Sequence, residues 1–73
     1  MDAQDLELIE RLSPTNAELR HLWMQHGGFE AKLADLERVR YPSEGERREI
    51  GRVKRLKLRG KEQIGKILAQ HRG

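Results

Sequence analysis

The side chains that could do chemistry in this 73-residue chain are three histidines and a row of basic residues. His26 falls in a run of apolar positions spaced three and four residues apart. A histidine there can be a pH-sensitive or partner-binding group, or it can fix helix register through a satisfied hydrogen bond, and we favour the second role. His21 lies five residues earlier, off the face that an i, i+4 metal pair requires. With His71 at the far end of another predicted helix, we expect no metal site.

A second set of residues could bind anions. At 100° per residue, five basic side chains near the C-terminus share one outward-facing row. These are Arg48, Arg52, Arg55, Arg59 and Lys66. Such a row can follow the phosphates of RNA or DNA, or dock on an acidic protein. The alternative, which we favour, is a solvated face partly paired with acidic residues of the preceding helix, because the sequence has no interleaved aromatic residues and no Gly-rich phosphate loop.

Catalysis has little support in the residue types. The chain has no cysteine, and its hydroxyl groups belong to Ser13, Thr15, Tyr41 and Ser43, all at predicted turns. The carboxylates fall on exposed helical faces, where nothing indicates perturbed pKa values, and a thin helical body offers no pocket. We therefore expect a protein that is not an enzyme and that has no cofactor and no small-molecule substrate.

The elements that position these residues are predicted to be helices in a single domain spanning residues 1–73. Charged residues make up 37% of the chain and hydrophobic residues 36%, and no stretch alternates with the period of a strand. No apolar run approaches the roughly 20 residues that span a bilayer. The first twelve residues are acidic and amphipathic, unlike a secretory signal peptide. We therefore expect a cytoplasmic protein that does not bind membranes.

Three helices are predicted, at about 3–12, 16–40 and 44–71. Pro14 disfavours a helical conformation at Ser13. Thr15 is then the expected N-cap of the second helix, with Glu18 completing a capping box and with Ser13 or Asn16 as alternative caps. Ser43 and the glutamate three residues later form a second capping box. Two adjacent glycines at 27–28 cost about 2 kcal/mol relative to alanine and mark a bend, a close crossing or a weak point.

Apolar side chains with 3-4 spacing run along both long helices and define the seam. The seam consists of Leu19, Leu22, His26, Phe29, Leu33, Leu36, Ile50, Val53, Ile64 and Ile67. Matched lengths and a short turn predict an antiparallel, coiled-coil-like hairpin. Residues 1–42 carry a net charge of −3 and residues 43–73 a net charge of +6, so an acidic helix faces a basic one. Two helices cannot cover both sides of the seam residues, so we expect self-association, most simply a dimer.

Three stretches of the chain resemble the YdcH-like family of small bacterial proteins. They are LELIERLSPTN at 6–16, the run from Leu19-Arg20 through His26 and Phe29-Glu30 to LADLE at 33–37, and KLRGKEQI at 57–64. The chain departs from the family pattern at the Gly27-Gly28 pair and, in the last stretch, at Gly60 and Glu62, where the family tends to carry Leu and Asp. The resemblance implies a helical hairpin and, because the family has no known activity, implies no function.

These observations predict a small interaction protein. We expect it to act by self-association and by binding another macromolecule, with an unknown protein as the partner. Nucleic-acid binding through the row at 48–66 is the alternative.

Overall fold

A computed structural model describes residues 2–72, and within that range the chain forms three α-helices and no strand. These are α1 (Ala3–Leu12), α2 (Ala17–Glu37) and α3 (Glu44–Arg72). Helices α2 and α3 pack along each other as an antiparallel hairpin, and α1 contacts both of them. The molecule measures 46 × 21 × 16 Å. The predicted all-α hairpin is confirmed.

Helix α1 is capped by side chains at both ends. The Asp2 carboxylate accepts a hydrogen bond from the Asp5 amide at 2.9 Å, as expected of an N-cap. Ser13 keeps helical dihedral angles (φ −54°, ψ −40°) although it precedes Pro14, so the expected non-helical conformation is wrong. Both the Ser13 amide, at 2.9 Å, and its hydroxyl, at 2.6 Å, donate to the Ile9 carbonyl. These two bonds offset the steric preference against helix before proline.

The N-cap of helix α2 lies one residue later than the first choice, Thr15, at the alternative that the sequence left open. Asn16 is the N-cap, with an extended backbone (φ −126°, ψ 97°), and its side-chain oxygen accepts from the Leu19 amide at 3.0 Å. The choice of Thr15 is therefore wrong. The Thr15 hydroxyl donates instead to the Leu12 carbonyl at 3.3 Å and closes the turn after α1. The extended conformation that an N-cap needs is reached only at the next residue.

Helix α2 also ends three residues before its predicted end. In its last turn the Arg38 and Val39 amides donate to carbonyls three residues back, at 3.3 and 3.4 Å, which tightens the turn before the chain leaves the helix. Arg40, the next position of the seam, is exposed. Ending the helix early therefore keeps that charge in solvent.

The predicted capping box at the start of α3 is confirmed. The Ser43 hydroxyl accepts from the Glu46 amide at 3.1 Å, and the Glu46 carboxylate accepts from the Ser43 amide at 3.0 Å. The two reciprocal bonds satisfy donors that the helix itself leaves open, and they define where the chain turns back.

The core lies at the open end of the hairpin, where α1 packs across α2 and α3. Its buried members are no more than 8% exposed. They are Ile9, Leu19, Leu22, Ile64, Ile67 and Leu68. The other half, near the turn, contains only two helices, and its buried hydrophobic residues in the described chain are Leu33 and Val53. We call these the open half and the turn half.

Candidate functional site

The structure places the predicted seam between α2 and α3. Seven of its ten residues are buried, namely Leu19, Leu22, His26, Leu33, Val53, Ile64 and Ile67. The remaining three, Phe29, Leu36 and Ile50, are only half-buried, and all three lie in the turn half. The seam therefore closes the hairpin within one chain. Self-association stays a prediction, and the seam residues left partly uncovered for it belong to the turn half.

His26 is held from two sides within the seam. Its ring stacks on Trp23, with centroids 5.3 Å apart and planes 10° from parallel. Its Nε2 lies 2.9 Å from the Glu30 Oε1, and the same carboxylate oxygen is 3.5 Å from the Lys57 Nζ. The Nδ1 is buried and has no hydrogen-bond partner in the described part of the chain. This geometry supports the register role, because the ring is fixed in place and links the two helices through Glu30.

A groove runs along one side of the turn half, between α2 and α3. Its volume is about 550 Å³. Leu33, Ala34 and Leu58 give it an apolar floor, and Leu58 is 58% exposed. Its α2 wall carries two acids and its α3 wall three bases. The acids are Glu30 and Glu37, and the bases are Lys54, Lys57 and Lys61. We call this feature the turn-half groove.

Helix α1 lies on the same side of the hairpin as the turn-half groove. A second concavity, of about 370 Å³, is lined by Leu6 of α1 together with Trp23 and His26. It shares Glu30, Lys57 and Lys61 with the turn-half groove, so the two are continuous. One face of the hairpin is thus covered by α1 in the open half and uncovered in the turn half.

A second ion-pair cluster joins α2 to α3. Glu49 accepts from the Arg52 guanidinium at 2.6 and 3.0 Å and from the Lys32 Nζ at 2.8 Å. The hydrogen bonds from Arg52 and then from Lys32 lower the pKa of Glu49 from 4.5 to about 2. The pKa of Arg52 is raised by the same carboxylate. Both helices are therefore tied at this point by a carboxylate that stays ionised in mild acid.

The five residues of the predicted basic row are all exposed. Arg52 pairs with Glu49, and Arg48 lies 3.8 Å from Glu44. These partners belong to α3 itself, so the expected pairing with acids of the preceding helix is wrong for this row. Within residues 2–72, its other three members form no ion pair. They are Arg55, Arg59 and Lys66.

The turn-half groove was not predicted from the sequence. The seam identifies which residues face the other helix, but it does not say on which side of the hairpin α1 docks. The one available signal is Leu58, an apolar residue that falls off the seam in a strongly basic helix. Its basic neighbours alone are no signal, because Val53 also lies between two basic residues and is 1% exposed.

Comparison with protein-family models, with curated proteins and with solved structures finds no match to this chain. Among residues 2–72, no helix is both long enough and apolar enough to cross a membrane. The same residues contain no group of three potential metal-ligating His, Asp or Glu side chains.

Proposed function

We propose that this protein is a small interaction module, not an enzyme, that self-associates and acts by binding another macromolecule. The observation that supports the proposal is the unequal coverage of the hairpin. Helix α1 completes a core in the open half, where Ile9 is only 1% exposed. The turn half has no third helix, so its apolar side chains have no comparable cover.

The apolar surface of the turn half suits a second copy. Phe29, Leu36 and Leu56 are half-buried. On α2, Phe29 and Leu36 point roughly 120–140° away from Trp23. Because Trp23 borders α1, these two side chains lie on the side of the hairpin opposite α1. Covering such surface gains roughly 25 cal/mol per Å² of apolar area. A dimer formed through this side, which we call the flat face, would supply the cover that a single chain lacks.

Sedimentation equilibrium tests this role. The unmodified chain should sediment as a dimer at tens of micromolar. The double variant Phe29→Gln/Leu36→Gln should raise the dissociation constant at least tenfold because it removes apolar area from the flat face. Met24→Gln is the matched control, since Met24 is 71% exposed on the same helix and off the flat face. Circular dichroism verifies that all chains stay helical. A compact monomer for the unmodified chain would contradict self-association.

A second candidate function is binding to a nucleic-acid backbone through the row at 48–66. It is favoured by three basic side chains that are exposed and form no ion pair within the described range, Arg55, Arg59 and Lys66. Replacing Arg52, Arg55 and Arg59 by Gln should weaken binding to duplex DNA. It should also flatten the salt dependence by up to about 0.9 log unit per lost phosphate contact. Absence of binding to DNA and RNA at low salt would remove this candidate.

A cytoplasmic location and kinship with the YdcH-like family belong to the same proposal. The hairpin architecture that the resemblance implies is the one the structure has, which supports the kinship. Measuring where a tagged chain fractionates in a bacterial cell would test the location.

A further inference from the structure

The turn-half groove differs from the flat face in that its walls carry opposite charges. The α2 wall is acidic and the α3 wall is basic. Two ion pairs connect the walls, Glu30–Lys57 at 3.5 Å and Glu37–Lys54 at 3.8 Å. Lys61 forms no ion pair among residues 2–72. Long pairs of exposed groups contribute little to stability, so a ligand with its own charges can replace them at small cost.

Helix α1 shows what this side of the hairpin accepts. It is a ten-residue amphipathic helix that inserts Ile9 between α2 and α3. Its Asp5 carboxylate pairs with the Arg72 guanidinium of α3. An acidic side chain of a helix that packs on this side of the hairpin can therefore pair with a basic residue of α3. The turn-half groove continues the same face beyond Leu6, with the same order of an apolar floor and a basic α3 wall.

A second copy of the chain fits the turn-half groove poorly. If the groove faces of two copies met about a twofold axis parallel to the helices, the two α1 helices would collide and hold the grooves apart. A twofold axis across the hairpin would avoid that collision. It would, however, place the acidic walls against each other and the basic walls against each other, and like charges brought together in an interface oppose association. Both symmetric arrangements are therefore disfavoured, which leaves a helix from a different polypeptide.

We propose that the turn-half groove binds an amphipathic helix of a partner protein, with an apolar stripe on Ala34 and Leu58 and an acidic flank along the α3 wall. This is helix-in-groove recognition. From Lys54 to Lys61 the wall spans roughly 10 Å at about 1.5 Å per residue, so two helical turns of the partner cover it. Such a helix would belong to the macromolecular partner of the interaction role proposed above, and this proposal rests on that role.

The test uses a synthetic 14-residue helical peptide with leucines at i, i+3, i+7 and i+10 and glutamates along one flank. A peptide with the same leucines and lysines in place of the glutamates is its control. Binding to the full chain is measured by fluorescence anisotropy. Three variants are compared, each at an exposed position so that folding is preserved: Leu58→Gln in the floor, Lys61→Glu in the wall, and Lys66→Glu on the same helix outside the groove.

We expect the glutamate peptide to bind with a dissociation constant in the micromolar range, at least tenfold more tightly than the lysine peptide. Leu58→Gln and Lys61→Glu should each weaken it at least tenfold, and Lys66→Glu less than threefold. No binding, equal binding of both peptides, or equal loss with Lys66→Glu and Lys61→Glu would overturn the proposal. Sedimentation of the same variants distinguishes it from self-association. If Leu58→Gln dissociates the dimer, the groove holds a second copy and the proposal is overturned, whereas a monomeric unmodified chain that still binds the peptide contradicts only the dimer.

Discussion

The adjacent glycines Gly27 and Gly28 should be replaceable by alanine with a gain in stability. Both lie inside α2, which runs without interruption from Ala17 to Glu37. A Cβ atom built on either glycine meets nothing within 4 Å. Of the three interpretations that the sequence left open, a close helix crossing therefore has no support, and the glycine pair is best described as a weak point of a continuous helix.

The magnitude follows from helix propensity alone, because no contact is gained or lost. Glycine in a helix interior costs about 1 kcal/mol relative to alanine. Gly27→Ala and Gly28→Ala should each raise the free energy of unfolding by about that amount, and the double variant by about 2 kcal/mol. For a domain of this size each kcal/mol raises Tm by roughly 4–8 °C. Gly60→Ala in α3, equally open, should give the same gain.

Urea and thermal denaturation followed by circular dichroism measure these gains. All variants are compared at one protein concentration, because the stability of a self-associating protein depends on concentration. Equal denaturant slopes verify that the unfolded and folded states are unchanged. If the double variant is no more stable than the unmodified chain, while Gly60→Ala is stabilised, then the glycine pair is bent or closely packed in solution and the reasoning from open space fails.

Three further outcomes are expected. Ile9→Ala should lower the free energy of unfolding by about 2–5 kcal/mol in urea denaturation because it opens a cavity in the core; a loss below about 1 kcal/mol would show that α1 is not docked. His26→Leu should change stability by less than about 1 kcal/mol, because the gain from removing the buried Nδ1, which has no partner among residues 2–72, offsets the loss of the Nε2–Glu30 contact; a loss above about 2 kcal/mol in the same assay would show that the Glu30 and Trp23 contacts outweigh the unpaired nitrogen. Because the pKa of Glu49 is lowered from 4.5 to about 2, its ion pairs stabilise the fold above pH 4.5 and are lost as the pH falls through 2. Glu49→Gln should therefore lower stability at neutral pH and flatten its decline in acid, which denaturation at several pH values would reveal or contradict.

The helices and the hairpin could be predicted from the sequence because they depend on the spacing of apolar and capping residues that are close together in the chain. The 3-4 pattern of the seam and the Ser43–Glu46 box are properties of neighbouring residues, and both agree with the structure. The first choice for the cap of α2, Thr15, is wrong by one residue, and the alternative, Asn16, is the cap. Thr15 and Asn16 both suit an N-cap, and the choice depended on the turn that α1 makes before them, where the Thr15 hydroxyl is already used.

The docking of α1 could not be predicted, since ten residues are too few to be stable alone and nothing local says where they pack. Its position depends on a patch formed jointly by residues distant in sequence, such as Leu22 and Ile64. The turn-half groove depends on the same choice, because it is the part of that face which α1 does not reach. Because the groove is the surface that a third helix leaves uncovered, the spacing of apolar residues along the sequence does not reveal it.

The opposite net charges of the two halves of the chain contribute little to holding α2 and α3 together. If these charges held the hairpin together, acids of α2 would pair closely with bases of α3. Among residues 2–72, however, the two such pairs are long, at 3.5 and 3.8 Å, and the shortest pair between α2 and α3 runs the other way, from Lys32 to Glu49. Apolar burial in the open half therefore does most of the stabilising. The excess basic charge of α3 remains on two surfaces, the wall of the turn-half groove and the row at 48–66. The groove has an apolar floor of three side chains, Leu33, Ala34 and Leu58, whereas Arg55 and Arg59 of the row line a smaller concavity, of about 190 Å³, in which Leu58 is the one apolar residue. An acidic helix with an apolar stripe should therefore select the groove, whereas a phosphate backbone, which has no apolar stripe, should select the row.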